Sequence, residues 1–197
     1  MRYAGDMPLG RTHQQDIDVH TKNPWEIVRV GAYYTNPEGE YAGLTMVANR
    51  LYAKPFIVVR NMTFDQIAID VTTAAAGASM RLGIYNDGTN LYPGTLLLDA
   101  GVVSVATTGL KTITINQALT KGIYWVVCVG DGAPDLKGTY WAIQIPNILG
   151  LDSTGFHVVH AGWNVAFTYG VLPTPFTAGG GLTYQIPRIA GRVASLD

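Results

Sequence analysis

From residue 41 onward, apolar and polar positions alternate with a period of two in short runs, each closed by turn-forming residues at intervals of about 8 to 15 positions. FDQIAIDVTT places Ile67, Ile69 and Val71 on one face of a strand and Gln66, Ala68 and Asp70 on the other. MRLGIY sets Met80, Leu82 and Ile84 inward, opposite Arg81, Gly83 and Tyr85, and LKTITI turns Ile113 and Ile115 away from Thr112 and Thr114. GIYWVVCVGD is apolar on both faces, which predicts a central strand with Trp125 in the core. LTMVANRLYAKPFIVV reads as two segments broken at Lys54 and Pro55, the proline marking an edge or a bulge. TYWAIQIP supplies a further strand, TPFTAGGGL (Thr174 to Leu182) a flexible loop, and YQIPRIAGRVA the last strand. No run sustains a helical period, and AAAGA at 74–78 reads as a connection. The pattern predicts an all-β fold: an antiparallel, jelly-roll-like β-sandwich over residues 41–197.

Residues 1–40 break this rhythm with Pro8, Gly10, Pro24 and Pro37, and read as an extended N-terminal attachment arm. Within the arm, WEIVRVGAYY alternates enough to add one strand to a sheet, its own or a neighbour's.

Composition narrows the partners. Lys and Arg total 13 against 14 for Asp and Glu, leaving a net charge of -1, so no field of one sign steers nucleic acid or anionic lipid toward the chain. Neither is expected as a partner. Charged residues are only 14%, which predicts surface covered by other subunits or facing neutral polar ligands. The lone Cys128 excludes a disulfide within the chain and reads as a small buried hydrophobe. The N-terminus lacks the apolar run of a secretory signal, and no stretch approaches the roughly 18 apolar residues of a membrane span. A soluble protein made in the cytosol is the expectation.

Candidate chemistry is sparse. His157 and His160 form H-V-V-H, whose side chains diverge on a strand, so no metal is expected there. Asn86, Asp87 and Asn90 around Gly88 resemble part of a calcium loop, but the closing acidic ligand is missing, and turn chemistry accounts for all of them. The serines lie in no nucleophile elbow, and Glu is absent after Glu40, leaving scattered aspartates rather than a paired carboxylate site. No catalytic residue and no cofactor is assigned. Aromatic rings can grip neutral sugars together with Asn and Asp, which makes Tyr92 and Trp163, with Asn86, Asp87 and Asn90, the candidate ligand contacts.

The block from Leu44 to Gly138 resembles a β-sandwich module of tailed-bacteriophage virion proteins. The similarity is carried by NRLYAKPF, by TFDQIAIDVTTAAAGASMRLGIYNDGTNLYPGTLLLDAG, and by TTGLKTITINQALTKGIYWVV. Such modules occur in tail fibres, receptor-binding proteins, and minor tail or head-decoration proteins. The resemblance implies a non-enzymatic virion component. Its leading form is a homotrimeric tail-fibre or receptor-binding protein whose loops touch host glycans. The alternative is a capsid decoration, head-fibre or adaptor protein with a purely architectural role. In either form the arm holds other virion proteins, and a chain opening at Met1 with its own arm is expected to be a complete small virion protein. The family supplies no catalytic residue to transfer.

Overall fold

The chain segment Gly122–Gly130 forms strand β8, and both its faces are covered. Val126 and Cys128 point into the layer between two sheets, while Trp125, Val127 and Val129 point the other way into a second apolar cluster. The computed structural model describes residues 28–35, 41–140, 148–150 and 160–196. Among them are no helix and thirteen strands. Before β8 come β1 (Tyr33–Tyr34), β2 (Tyr41–Thr45), β3 (Arg50–Val58), β4 (Met62–Thr73), β5 (Ser79–Asp87), β6 (Pro93–Ser104) and β7 (Gly109–Leu119); after it come β9 (Asp135–Tyr140), β10 (Gly162–Ala166), β11 (Gly181–Thr183), β12 (Gln185–Pro187) and β13 (Ala190–Leu196). The fold is an all-β antiparallel sandwich, as the period-two pattern predicts.

One sheet has the order β11-β10-β3-β8-β5-β6; the other runs β1-β13-β4-β9-β12, with β2 paired to β9 and β7 to β4. The main core lies between the two sheets. It takes Met80, Leu82 and Ile84 from β5, Tyr52, Phe56 and Val58 from β3, and Phe64, Ile67, Ile69 and Val71 from β4. On β4 the inward parity changes, from Met62 and Phe64 to Ile67 and Ile69, because the ladders with both β7 and β13 shift register beside Phe64. Both shifts fall at the same turn of the strand, so one irregularity keeps five large side chains inside.

Two details differ from the sequence reading, and one choice it left open is decided. Strand β3 runs unbroken through Lys54 and Pro55, and its ladder with β8 spans Tyr52 to Val58. Pro55 is accommodated because the β10 ladder stops at Ala53, two residues short of it. Lys54 is only 2% exposed, and its ammonium donates to Thr35 Oγ1 at 2.7 Å, which satisfies part of a buried cation. Within the stretch assigned to the arm, β1 adds to the chain's own sheet: Tyr33 pairs with Arg192, Gly31 N donates to Val193 O at 2.7 Å, and Val193 N donates back to Ala32 O at 3.0 Å. Residues 1–27 and 36–40 of that arm lie outside the described residues. YQIPRIAGRVA divides into β12 and β13. TYWAIQIP is described only at Thr139 and Tyr140, which close β9.

Candidate functional site

The insert between β5 and β6 is a tight hairpin. Gly88 N donates to Tyr92 O at 2.8 Å, and Asn90 and Leu91 adopt the left-handed region at φ 57° and 52°. A Cβ on Gly88 would stand 2.6 Å from the Tyr92 carbonyl oxygen, so only glycine lets the two limbs close. The turn chemistry of Asn, Asp and Gly therefore has a concrete structural use here.

The candidate residues fall into two groups. Asp87, Tyr92 and Trp163 are each engaged by another part of the chain, and the rings of Tyr92 and Trp163 meet. Asp87 Oδ1 accepts the indole N–H of fully buried Trp125 at 2.8 Å. Tyr92 Oη donates to Thr177 O at 2.7 Å and accepts from Gly180 N at 2.9 Å, using the hydroxyl in both directions. Trp163 Nε1 donates to Leu91 O at 2.8 Å, while its ring meets Tyr92 edge-on with centroids 4.9 Å apart. Asn86 and Asn90 stand apart. The Asn86 amide donates to Thr95 Oγ1 at 3.0 Å across the strand pair, and Asn90 is exposed at the hairpin tip.

Residues 167–180, the segment that includes TPFTAGG, are what close the group from outside. Instead of looping away, they form a strap over the outer face of the β3-β8-β5 sheet. Phe176, 4% exposed, sits edge-on to Tyr85 at 5.4 Å and to Tyr92 at 5.5 Å. The Tyr85 hydroxyl donates to Pro173 O, Phe176 N donates to Gly94 O at 2.9 Å, and Leu172 N donates to Asp99 Oδ2 at 3.3 Å. Asp99 also takes an ion pair from Arg81 at 2.6 Å, so one carboxylate ties the strap to β5 and β6. Burial pushes the Tyr85 phenol upward, and the Asp99 carboxylate adds to the shift. Phe176 and Leu172 are the residues that sequence reasoning missed, because turn formers surround them and hide their spacing.

On the outer face of the other sheet, Arg192 forks onto Asp65 at 2.8 and 2.7 Å and holds its carboxyl below the ordinary range, largely through that hydrogen bond. Burial raises the Cys128 thiol well above its usual value. His157 lies outside the described residues. His160 Nδ1 is buried without a hydrogen-bond partner, and among the described residues no group of three or more His, Cys, Asp or Glu could hold a metal ion. The arrangement thus offers partly buried aromatic packing with an exposed tip at Gly88–Asn90, and the side chains of Asn86, Asp87 and Tyr92 act as structural partners. Compared with known proteins, the chain matches no family model and no curated sequence.

Proposed function

We propose that this chain is a non-enzymatic structural protein of a tailed-phage particle, made in the host cytoplasm and built into the virion beside copies of itself and other virion proteins. The similarity of the Leu44–Gly138 block to virion sandwich modules supports that class. Within it, one observation favours the architectural role of decoration, head-fibre or adaptor protein over the receptor-binding one: the polar tips of the half-buried Tyr92 and Trp163 are already bonded to Thr177, Gly180 and Leu91, and Tyr92 also meets Trp163 and Phe176 edge-on. A glycan site needs such groups open to solvent.

The homotrimeric tail-fibre reading leaves only the hairpin tip for host glycans, so the two roles separate there. Thr89 is exposed at that tip, and Thr89→Arg changes the surface without replacing any residue of the aromatic cluster. On the architectural reading, particles carrying Thr89→Arg assemble and adsorb to cells normally. Intact particles that lose adsorption would transfer the role to receptor binding. Locating the chain in a reconstruction of the whole particle tests the class itself, and its absence from purified virions would sink it.

A further inference from the structure

Strands β6 and β7 each end a sheet on the same side of the sandwich, yet their outer edges are finished differently. β6 opens with Pro93 and shifts register against β5 at three places, features that spoil an edge for any further strand. β7 is 11 residues long, hydrogen-bonds along one edge to β4, and has no strand on its other edge among the described residues. Between Leu110 and Ala118 it carries no proline and a single charge, Lys111. Leu110 is 58% exposed, the core-facing Ile113 and Ile115 are only half-buried, and among the described residues no strand extends the sheet beyond them. The register shift that β7 shares with β4 leaves its own alternation of exposed and half-buried residues intact from Leu110 to Ala118.

We infer that this edge is a two-fold interface, in which β7 pairs antiparallel with β7 of a second copy about Thr114. Such an interface must be self-complementary, and the axis must pass through a residue so that both core faces lie on the same side of the joined sheet. LKTITINQA meets that demand about Thr114 and nowhere adjacent. Ile113 falls opposite Ile115 of the second copy, Thr112 opposite Asn116, Lys111 opposite the neutral Gln117, and Leu110 opposite Ala118. An axis at Ile113 would set Lys111 against Ile115; one at Ile115 would set Ile113 against Gln117. About Thr114, the two Lys111 ammonium groups stand six ladder positions apart, roughly 20 Å at strand spacing and beyond the screening length of physiological salt. With a net charge of -1 per chain, the copies do not repel one another. The joined ladder satisfies the open N–H and C=O groups and completes the cover over both isoleucines. It does not depend on the chain's place in any particle.

Cysteine substitution reads the register directly in the full-length protein. Thr114→Cys should form a covalent dimer on mild oxidation, because only the residue on the axis faces itself at disulfide distance. Thr112→Cys alone should not, whereas an equal mixture of Thr112→Cys and Asn116→Cys should cross-link into a mixed dimer. By light scattering, the unmodified chain should have twice its 21.2 kDa mass. Thr114→Lys should be monomeric with an unchanged circular dichroism spectrum, and mixing it with Thr114→Glu should restore the doubled mass. A monomer at every concentration, a trimer, an unchanged mass for Thr114→Lys, or self-cross-linking through residue 112 would each overturn the interface.

Discussion

The indole N–H of Trp125, on the central strand of one sheet, ends on Asp87 Oδ1 at the start of the hairpin insert, 2.8 Å away. The carboxylate that sequence chemistry offers to a ligand is thus the acceptor of a fully buried donor. Removing it should matter to stability. Asp87→Ala leaves the indole nitrogen unpaired and should cost about 1–3 kcal/mol, the usual penalty for orphaning a buried polar group. Urea unfolding followed by tryptophan fluorescence measures the loss directly, and an unchanged midpoint would show that this hydrogen bond contributes little.

Phe176 ties the strap to the sheet through edge contacts with Tyr85 and Tyr92. Its truncation to Ala opens a cavity beneath residues 167–180 and should cost about 3–5 kcal/mol. The loss is local at first, so limited proteolysis should cut between 168 and 180 well before the sheets unfold. Wild-type resistance to cleavage there is the control, and equal cleavage of both proteins would mean that the strap is not held by this ring.

How far these features were legible depends on what kind of signal each leaves in the chain. Strand β8 announced itself, because the seven consecutive apolar positions from Ile123 to Val129 can only be buried on two sides at once. Ile67, Ile69 and Val71 were equally plain, but Met62 and Phe64 belong to the same core on the opposite parity, and only the register shift between them and Ile67 reconciles the two. Lys54 and Pro55 misled because intrinsic strand preference argues against both, whereas a partner at Thr35 and the early end of the β10 ladder accommodate them. The strap was invisible for a different reason: Phe176 sits among Pro, Thr and Gly with no period, so its burial is dictated by the hollow between Tyr85, Tyr92 and Trp163 and not by its own neighbours. Asn86, Asp87, Asn90 and Tyr92 read from the sequence as one inter-strand insert, while nothing in the sequence sets Trp163 beside it; the structure does, through its bond to Leu91 O and its ring contact with Tyr92. What the residue types alone did not reveal is that three of the five face inward partners.

Gly83 shows how closely the strap is fitted. A Cβ there would lie 2.3 Å from Leu172 Cδ1 and 2.7 Å from the Leu98 carbonyl oxygen, so the side chain of the strap and the backbone of β6 both occupy its space. Leu172 can turn aside, but the Leu98 carbonyl belongs to the ladder with β5. Gly83→Ala should therefore destabilise by about 1–3 kcal/mol through overpacking, despite the better strand propensity of alanine. Thermal unfolding of this variant beside Leu172→Ala separates the two clashes: if the strap alone objects, the double variant recovers much of the loss, and if the backbone clash dominates it does not.

Alkaline pH should weaken the fold through three buried groups of the central strands. Burial raises the Cys128 thiol far above its ordinary value of 9.0, and it raises the Tyr85 and Tyr52 phenols above 10.0. In each case the folded state holds its proton where the unfolded chain has released it. Above pH 9 the unfolded state thus binds fewer protons than the native one, and stability falls as pH rises, by about 1.4 kcal/mol per pH unit for each group so affected. Below pH 9 these three groups contribute their full stability and no slope. Cys128→Ala removes the first to titrate, so the onset of alkaline loss should move from near 9 toward 10 even though the variant starts from a lower plateau. The same burial predicts that a thiol-specific reagent at pH 8 leaves the native protein unmodified and labels it fully in guanidinium. Rapid labelling of the folded chain would place Cys128 outside the core and remove the basis of the pH dependence.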